Sequence, residues 1–143
     1  MTENIASSQV ASKRSRPFGV WIFTIYAFLF AGLAPLLLSI FVLFTGYAIE
    51  NADRVLITIP INIAVIVNAF GAWQGKEKSR KFLLAFITIN YVLIAVNNLW
   101  ILAVGDFPPE QMNQYLGRIF RGILYPAIYF WYFNKATTKT FYQ

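Results

Sequence analysis

From Phe18 to Gly46 the chain runs for 29 residues without one charged side chain. About 20 apolar residues suffice for a helix to cross the hydrocarbon core of a bilayer. The run is also too long for the apolar stretch of a secretory leader, about 7–15 residues, and no small-residue cleavage site follows it. It reads as a retained first membrane helix, tilted or with interfacial ends, and kinked near Pro35, which removes one backbone hydrogen bond.

Composition carries this reading to the whole chain. Only 13% of the 143 residues are charged and 58% are hydrophobic, against about 25% charged in soluble domains. A domain of this size has too little interior to hide that surplus, so it must face lipid. Backbone polar groups in hydrocarbon are satisfied only within a helix or a closed barrel. Barrel strands alternate apolar and polar residues over about ten positions. These runs are continuous, which predicts an all-α polytopic membrane protein, a small antiparallel bundle of four transmembrane helices.

The predicted spans are 18–46, 55–74, 82–104 and 115–133, within a membrane domain covering 18–134. Residues 1–17 are expected to be a disordered tail and 135–143 a second short tail. The fourth span is the weakest. Its charge-free part, Gly122 to Phe133, is only 12 residues, and extending it to Tyr115 takes in Arg118 and Arg121. A re-entrant or interfacial fourth helix is the alternative.

Charge sets the expected orientation. Nine basic residues lie in the two tails and the 75–81 loop: Lys13, Arg14, Arg16, Lys76, Lys78, Arg80, Lys81, Lys135 and Lys139. Three, Arg54, Arg118 and Arg121, lie on the other side. Lys and Arg in short loops mark the cytoplasmic face, so both termini are expected in the cytoplasm of a multi-pass cell-membrane protein. Acidic residues show the reverse bias, with Glu50, Asp53, Asp106 and Glu110 opposite Glu3 and Glu77. The net charge of +6 is thereby explained by topology, and no nucleic-acid partner is expected.

The chain has no cysteine and no histidine. Disulfides, thiol nucleophiles and iron–sulfur clusters are thus excluded, together with the commonest metal ligand. No acidic residue falls within the four spans, which removes the titrating carboxylate of proton-coupled carriers. Paired carboxylates, a nucleophile elbow and a glycine-rich phosphate loop are also missing. A non-enzymatic protein without cofactor or metal is expected.

Five asparagines, Asn62, Asn68, Asn90, Asn97 and Asn98, fall within spans two and three. If those spans fold about a turn at 75–81, equal depth places Asn68 opposite Asn90 and Asn62 opposite Asn97. Such a layer is either interhelical glue, at roughly 0.6–2 kcal/mol per contact, or the lining of a path for a polar solute. Arg118 and Arg121, three apart, share one helix face. They are expected near the outer end, where they either snorkel and pair with outer-face acids, or receive an anion or an acidic partner chain. Trp21, Trp73, Trp100 and Trp131 fall near span ends, as interfacial anchors do. Trp131 with its neighbours Tyr129, Phe130, Tyr132 and Phe133 also offers contact to a pigment, a quinone or a neighbouring subunit.

Three short motifs support a resemblance: Arg16-Pro17-Phe18-Gly19-Val20, Gly71-Ala72-Trp73 followed by Arg80-Lys81, and Tyr132-Phe133-Asn134-Lys135 leading to Lys139-Thr140-Phe141-Tyr142. In layout, residues 16–142 resemble a loose class of small, uncharacterised bacterial integral membrane proteins with four helices, and a bacterial inner membrane is the expected location. Such proteins often carry a proline after the last span, where this chain has Lys135-Ala136. The resemblance implies architecture and bacterial origin, and no site residues. The expected function is contact: an accessory or interaction subunit of a membrane complex, with the lipid bilayer and either a protein partner or a second copy as its partners. A small channel or carrier using the asparagines is the alternative.

Overall fold

The computed structural model describes residues 16–45, 52–105 and 108–142. Among them there is no strand, as the unbroken apolar runs require. Four long helices follow one another: α1 (Phe18–Phe44), α2 (Ala52–Trp73), α3 (Glu77–Val104) and α4 (Pro109–Phe133). A single short turn of helix, α5 (Ala136–Lys139), closes the chain.

Three of these are long and apolar enough to cross a membrane: Phe18–Phe44, Val55–Trp73 and Glu77–Val104. The fourth is not apolar enough by composition, because Arg118, Arg121 and a polar first stretch dilute it. It is instead the most amphipathic of the long helices. It begins at Pro109 and not near Tyr115, because Pro109 occupies the first-turn position where a missing N–H is no loss.

α1 is continuous but not regular. Ala27–Leu33 winds as a π-helix immediately before Pro35. Proline lacks the N–H that would bond the carbonyl four residues earlier, and its ring crowds that carbonyl. A wider turn relieves the crowding, and π segments of this kind recur where helices are interrupted for a purpose.

The hairpin between α2 and α3 is tighter than its sequence suggests. Gly75 takes a positive φ of 84°. The Lys76 N–H reaches the Gly71 carbonyl and the Gly75 N–H the Ala72 carbonyl, each at 3.0 Å. This is the paired 6→1 and 5→2 closure of a helix end, which needs a left-handed residue. Only residues 74–76 separate the helices, so Ser79, Arg80 and Lys81, expected in the loop, lie in α3.

Core packing relies on small residues. Ala27, Ala31, Val65, Ala69 and Ala72 are buried where α1 meets α2, and Gly122 of α4 lies against α3. A Cβ on Gly122 would stand 2.7 Å from Ala95 Cβ and 2.9 Å from the Tyr91 carbonyl oxygen. Lipid is as apolar as leucine, so helices in it gain by close van der Waals approach, which small residues permit.

One end of the bundle brings together several basic residues. Arg16 stacks 4.5 Å over Trp73, Lys135 lies 3.6 Å over Trp131, and Arg80 meets the last turn of α4. The C-terminal stretch, expected to be a free tail, packs on this end. Thr138 and Tyr142 are buried, and a Cβ on Gly75 would stand 3.2 Å from Phe141 Cζ.

Candidate functional site

Three polar groups interrupt the apolar packing. The first is central. Asn90 of α3 is 6% exposed and Asn62 of α2 is 1% exposed. The Asn90 amide donates to Asn62 Oδ1 at 3.5 Å and to the Ala31 carbonyl at 3.3 Å. Ala31 lies four residues before Pro35, and in a regular α-helix its carbonyl would accept from the N–H that proline lacks. The asparagine supplies from a neighbouring helix the hydrogen bond that proline removes. Such bonds between membrane helices contribute about 1 kcal/mol on average.

The expected pairing is corrected here. Asn62 faces Asn90, whereas Asn68 donates to the Ala64 carbonyl of its own helix at 2.8 Å. Among the described residues no hydrogen bond joins Asn68 to Asn90 or Asn62 to Asn97. The reason is the turn: closing at 74–76 instead of 75–81 moves its centre by three residues, which shifts the position facing Asn90 by six, from 68 to 62, nearly two helical turns. Asn97 is half-buried, and Asn98 is buried with its amide on the Ile94 carbonyl at 2.6 Å. Asn62 Nδ2 and Asn98 Oδ1 are buried without a hydrogen-bond partner in the protein.

The second group is at the basic end, where the sequence alone marks Arg80 only as a cytoplasmic-side charge. Arg80 is 5% exposed. Its Nε and Nη2 grip both Glu77 oxygens at 2.7 Å, and its Nη1 donates to the Phe133 carbonyl. The Tyr142 ring covers the guanidinium at 5.5 Å. Bidentate pairing is what arginine does better than lysine. The Phe133 carbonyl is one of the open acceptors at the end of α4, where a cation is favoured. Burial pushes the Tyr142 phenol above its ordinary value, while the nearby Arg80 charge opposes that rise. Spacing held the clue: Arg80, Leu83, Leu84, Ile87 and Asn90 follow one helical stripe, and all five are buried.

The third group is on α4. Arg118 and Arg121 share a face, as expected, and both are exposed. Their depth differs from expectation. Gly122 faces Tyr91 and Ala95, near the middle of the apolar stretch 82–104 of α3, so Arg121 is rooted halfway along the bundle. Starting α4 at Pro109 produces this placement. Arg121 Nε donates to the Gly117 carbonyl at 3.1 Å, and Arg118 lies 5.6 Å over the Tyr115 ring. Of the expected outer-face acids, Glu50 and Asp106 lie outside the described residues, as do the side chains of Asp53 and Glu110. Tyr26 and Tyr91 close around Tyr125, with ring centroids 6.2 and 5.3 Å from it, one turn below Arg121.

The aromatic end is used internally as well as outwardly. Phe23 stacks on Tyr132 at 4.5 Å, and the Tyr129 hydroxyl donates to the Phe23 carbonyl at 3.0 Å, while Trp131 remains exposed. A groove of about 230 Å³ opens on the outer surface of α1 and α2, walled by Trp21, Ile25, Phe28, Phe70 and Trp73. No group of three His, Cys, Asp or Glu side chains that could hold a metal occurs among the described residues. Comparison with known proteins found no matching family model, no matching curated protein and no matching solved structure.

Proposed function

We propose that this chain is a non-enzymatic four-pass membrane protein, with both termini in the cytoplasm, that acts by contact as an accessory or interaction subunit of a membrane complex. The observation that carries this reading is the pair Arg118 and Arg121, exposed on α4 beside the apolar stretch of α3. Charge at that depth is costly on a lipid-facing surface and marks a functional position. The interior polar groups are largely spent on structure: Asn90 on Asn62 and the Ala31 carbonyl, Arg80 on Glu77 and the Phe133 carbonyl.

Packing supports a fourth crossing. α4 runs antiparallel to α3 from Phe133 beside Arg80 to Gly122 against Tyr91 and Ala95. A helix lying lengthwise on a crossing helix shares its depth. The chain has no cysteine, so single cysteines at Asn113 and Thr137 report sidedness directly. Labelling from opposite faces of the membrane is expected; labelling from the same face removes the fourth crossing. For the accessory role, tagged protein at native expression is purified in mild detergent. A stoichiometric membrane partner supports it, and a lone particle counts decisively against it.

The second reading, a narrow path for a polar solute, has one observation in its favour: Asn62 Nδ2 and Asn98 Oδ1 are buried and unpartnered in the protein. It predicts flux in proteoliposomes that falls when Asn62 and Asn98 are replaced by leucine. Absence of flux in the unaltered protein rejects it.

A further inference from the structure

We infer that the Arg118–Arg121 face of α4 docks one transmembrane helix of a different protein, and that this helix carries an Asp or Glu in the outer half of the bilayer. The inference rests on the accessory-subunit reading and names the chemistry of the partner.

Three observations converge on it. The first is depth. Arg121 Nε is held on the Gly117 carbonyl, which is eight residues, about 12 Å along a helix, from the start of α4 at Pro109. A headgroup phosphate would have to descend most of that distance to reach it. The second is the charge inventory. The nearest acidic residue on the same helix, Glu110, is eleven positions from Arg121, about 16 Å away by helical rise. The described stretches 18–45, 55–73, 82–104 and 111–133 contain no Asp or Glu. A second copy would therefore bring a matching arginine to this depth and no carboxylate, so the complementary charge comes from another chain.

The third observation is shape. Gly122 is used inside, where a Cβ would strike Ala95 and the Tyr91 carbonyl oxygen. Gly117 is not: a Cβ there would meet only the Arg121 Nη2, at 3.9 Å. Glycine destabilises a helix interior by about 1 kcal/mol relative to alanine, and the internal packing of this bundle has no need of it at 117. Half-buried one turn before Arg121 and adjoining Arg118, it leaves room beside the arginines for a second backbone to approach closely, as small residues do at membrane helix interfaces. Within the bundle α1 meets α4 through its first turns, where Phe23 and Tyr26 pack on Tyr129, Tyr132 and Tyr125. Its later half, Ala34–Phe44, packs on α2 and leaves the arginine face of α4 uncovered.

The test uses the full chain in its native membrane, with a photo-crosslinking residue at Leu124 on the arginine face and a control at Val67 on α2. Three variants accompany it: Arg121→Gln, Arg121→Lys and Gly117→Leu. Gly117→Leu is expected to fold normally, and tryptophan-fluorescence melting checks this for every variant. The expected result is a crosslink from 124 and not from 67 to a protein with an Asp or Glu inside a spanning segment. Its recovery should fall roughly tenfold or more with Arg121→Gln, as when one member of a buried charge pair is lost. Gly117→Leu should lower it too, Arg121→Lys should retain part of it, and exchanging the two charges between the proteins should restore it. A partner recovered undiminished from Arg121→Gln and Gly117→Leu overturns the docking face and leaves the accessory reading standing. Crosslinks only to lipid or to a second copy overturn the hetero-partner. A lone particle overturns both readings.

Discussion

A single proline in α1 accounts for the placement of two asparagines in other helices. Pro35 lacks the N–H that would serve the Ala31 carbonyl in a regular α-helix, and Asn90 donates to that carbonyl while also holding Asn62. Replacing Asn90 by alanine leaves both acceptors open, and a loss of about 1–2 kcal/mol is expected. Asn68→Ala, which removes a bond within its own helix, should change stability by less than about 0.5 kcal/mol. Unfolding in mixed detergent, followed by tryptophan fluorescence, separates the two. The proline account makes a sharper prediction: in a Pro35→Ala background the backbone regains its own donor, so Asn90→Ala should cost less than in the native chain. An equal cost in both backgrounds rejects the link, because uncoupled sites add.

Between helices, what matters is whether a neighbour can yield. At Gly122 an added side chain meets the Tyr91 carbonyl oxygen at 2.9 Å and Ala95 Cβ at 2.7 Å, and backbone cannot rotate away. Gly122→Val should force α3 and α4 apart at a cost of about 1–3 kcal/mol. At Gly32 the closest atom is Ile66 Cγ1, at 2.6 Å, part of a side chain that can change rotamer. Gly32→Ala should therefore cost less than Gly122→Val, and the order of their midpoints in the same unfolding assay checks it. The α2–α3 turn adds a related lesson. Gly75 is legible in sequence as a helix terminator, and reading it that way would have placed Arg80 inside α3 and Asn62 opposite Asn90.

At the scale of the whole chain, the basic end joins segments far apart in sequence. Arg80 joins the start of α3 to the end of α4, and Tyr142 covers it. Arg80→Ala leaves the Glu77 carboxylate and the Phe133 carbonyl without this partner, and a loss of about 1–3 kcal/mol is expected. The seal is also pH-dependent. Burial raises the Tyr142 phenol above its ordinary value, so docking favours the neutral form. That contribution is complete below the unfolded value, about 10, and is lost as pH rises through the higher value of the docked state. Carboxypeptidase access to the C-terminus should rise in that alkaline range. In Tyr142→Phe, which removes a hydroxyl that has no protein partner, the rise should disappear.

Continuous apolar runs leave helices as the only structure that satisfies the backbone in lipid. The all-α architecture, three helices long and apolar enough to cross a membrane and the clustering of basic residues were thus determined by sequence, since each depends on local composition and short-range hydrogen bonding. Partnership was not. Asn62 meets Asn90, and Arg121 stands halfway along the bundle and not near its end, because of where two helices begin and how one turn closes. A shift of three residues in the centre of a turn moves the facing position by six, about 9 Å along the axis, enough to exchange one hydrogen-bond partner for another. The burial of Arg80 likewise depends on Phe133 and Tyr142, more than fifty residues downstream. Long-range packing brings these groups together, and no local pattern encodes that distance.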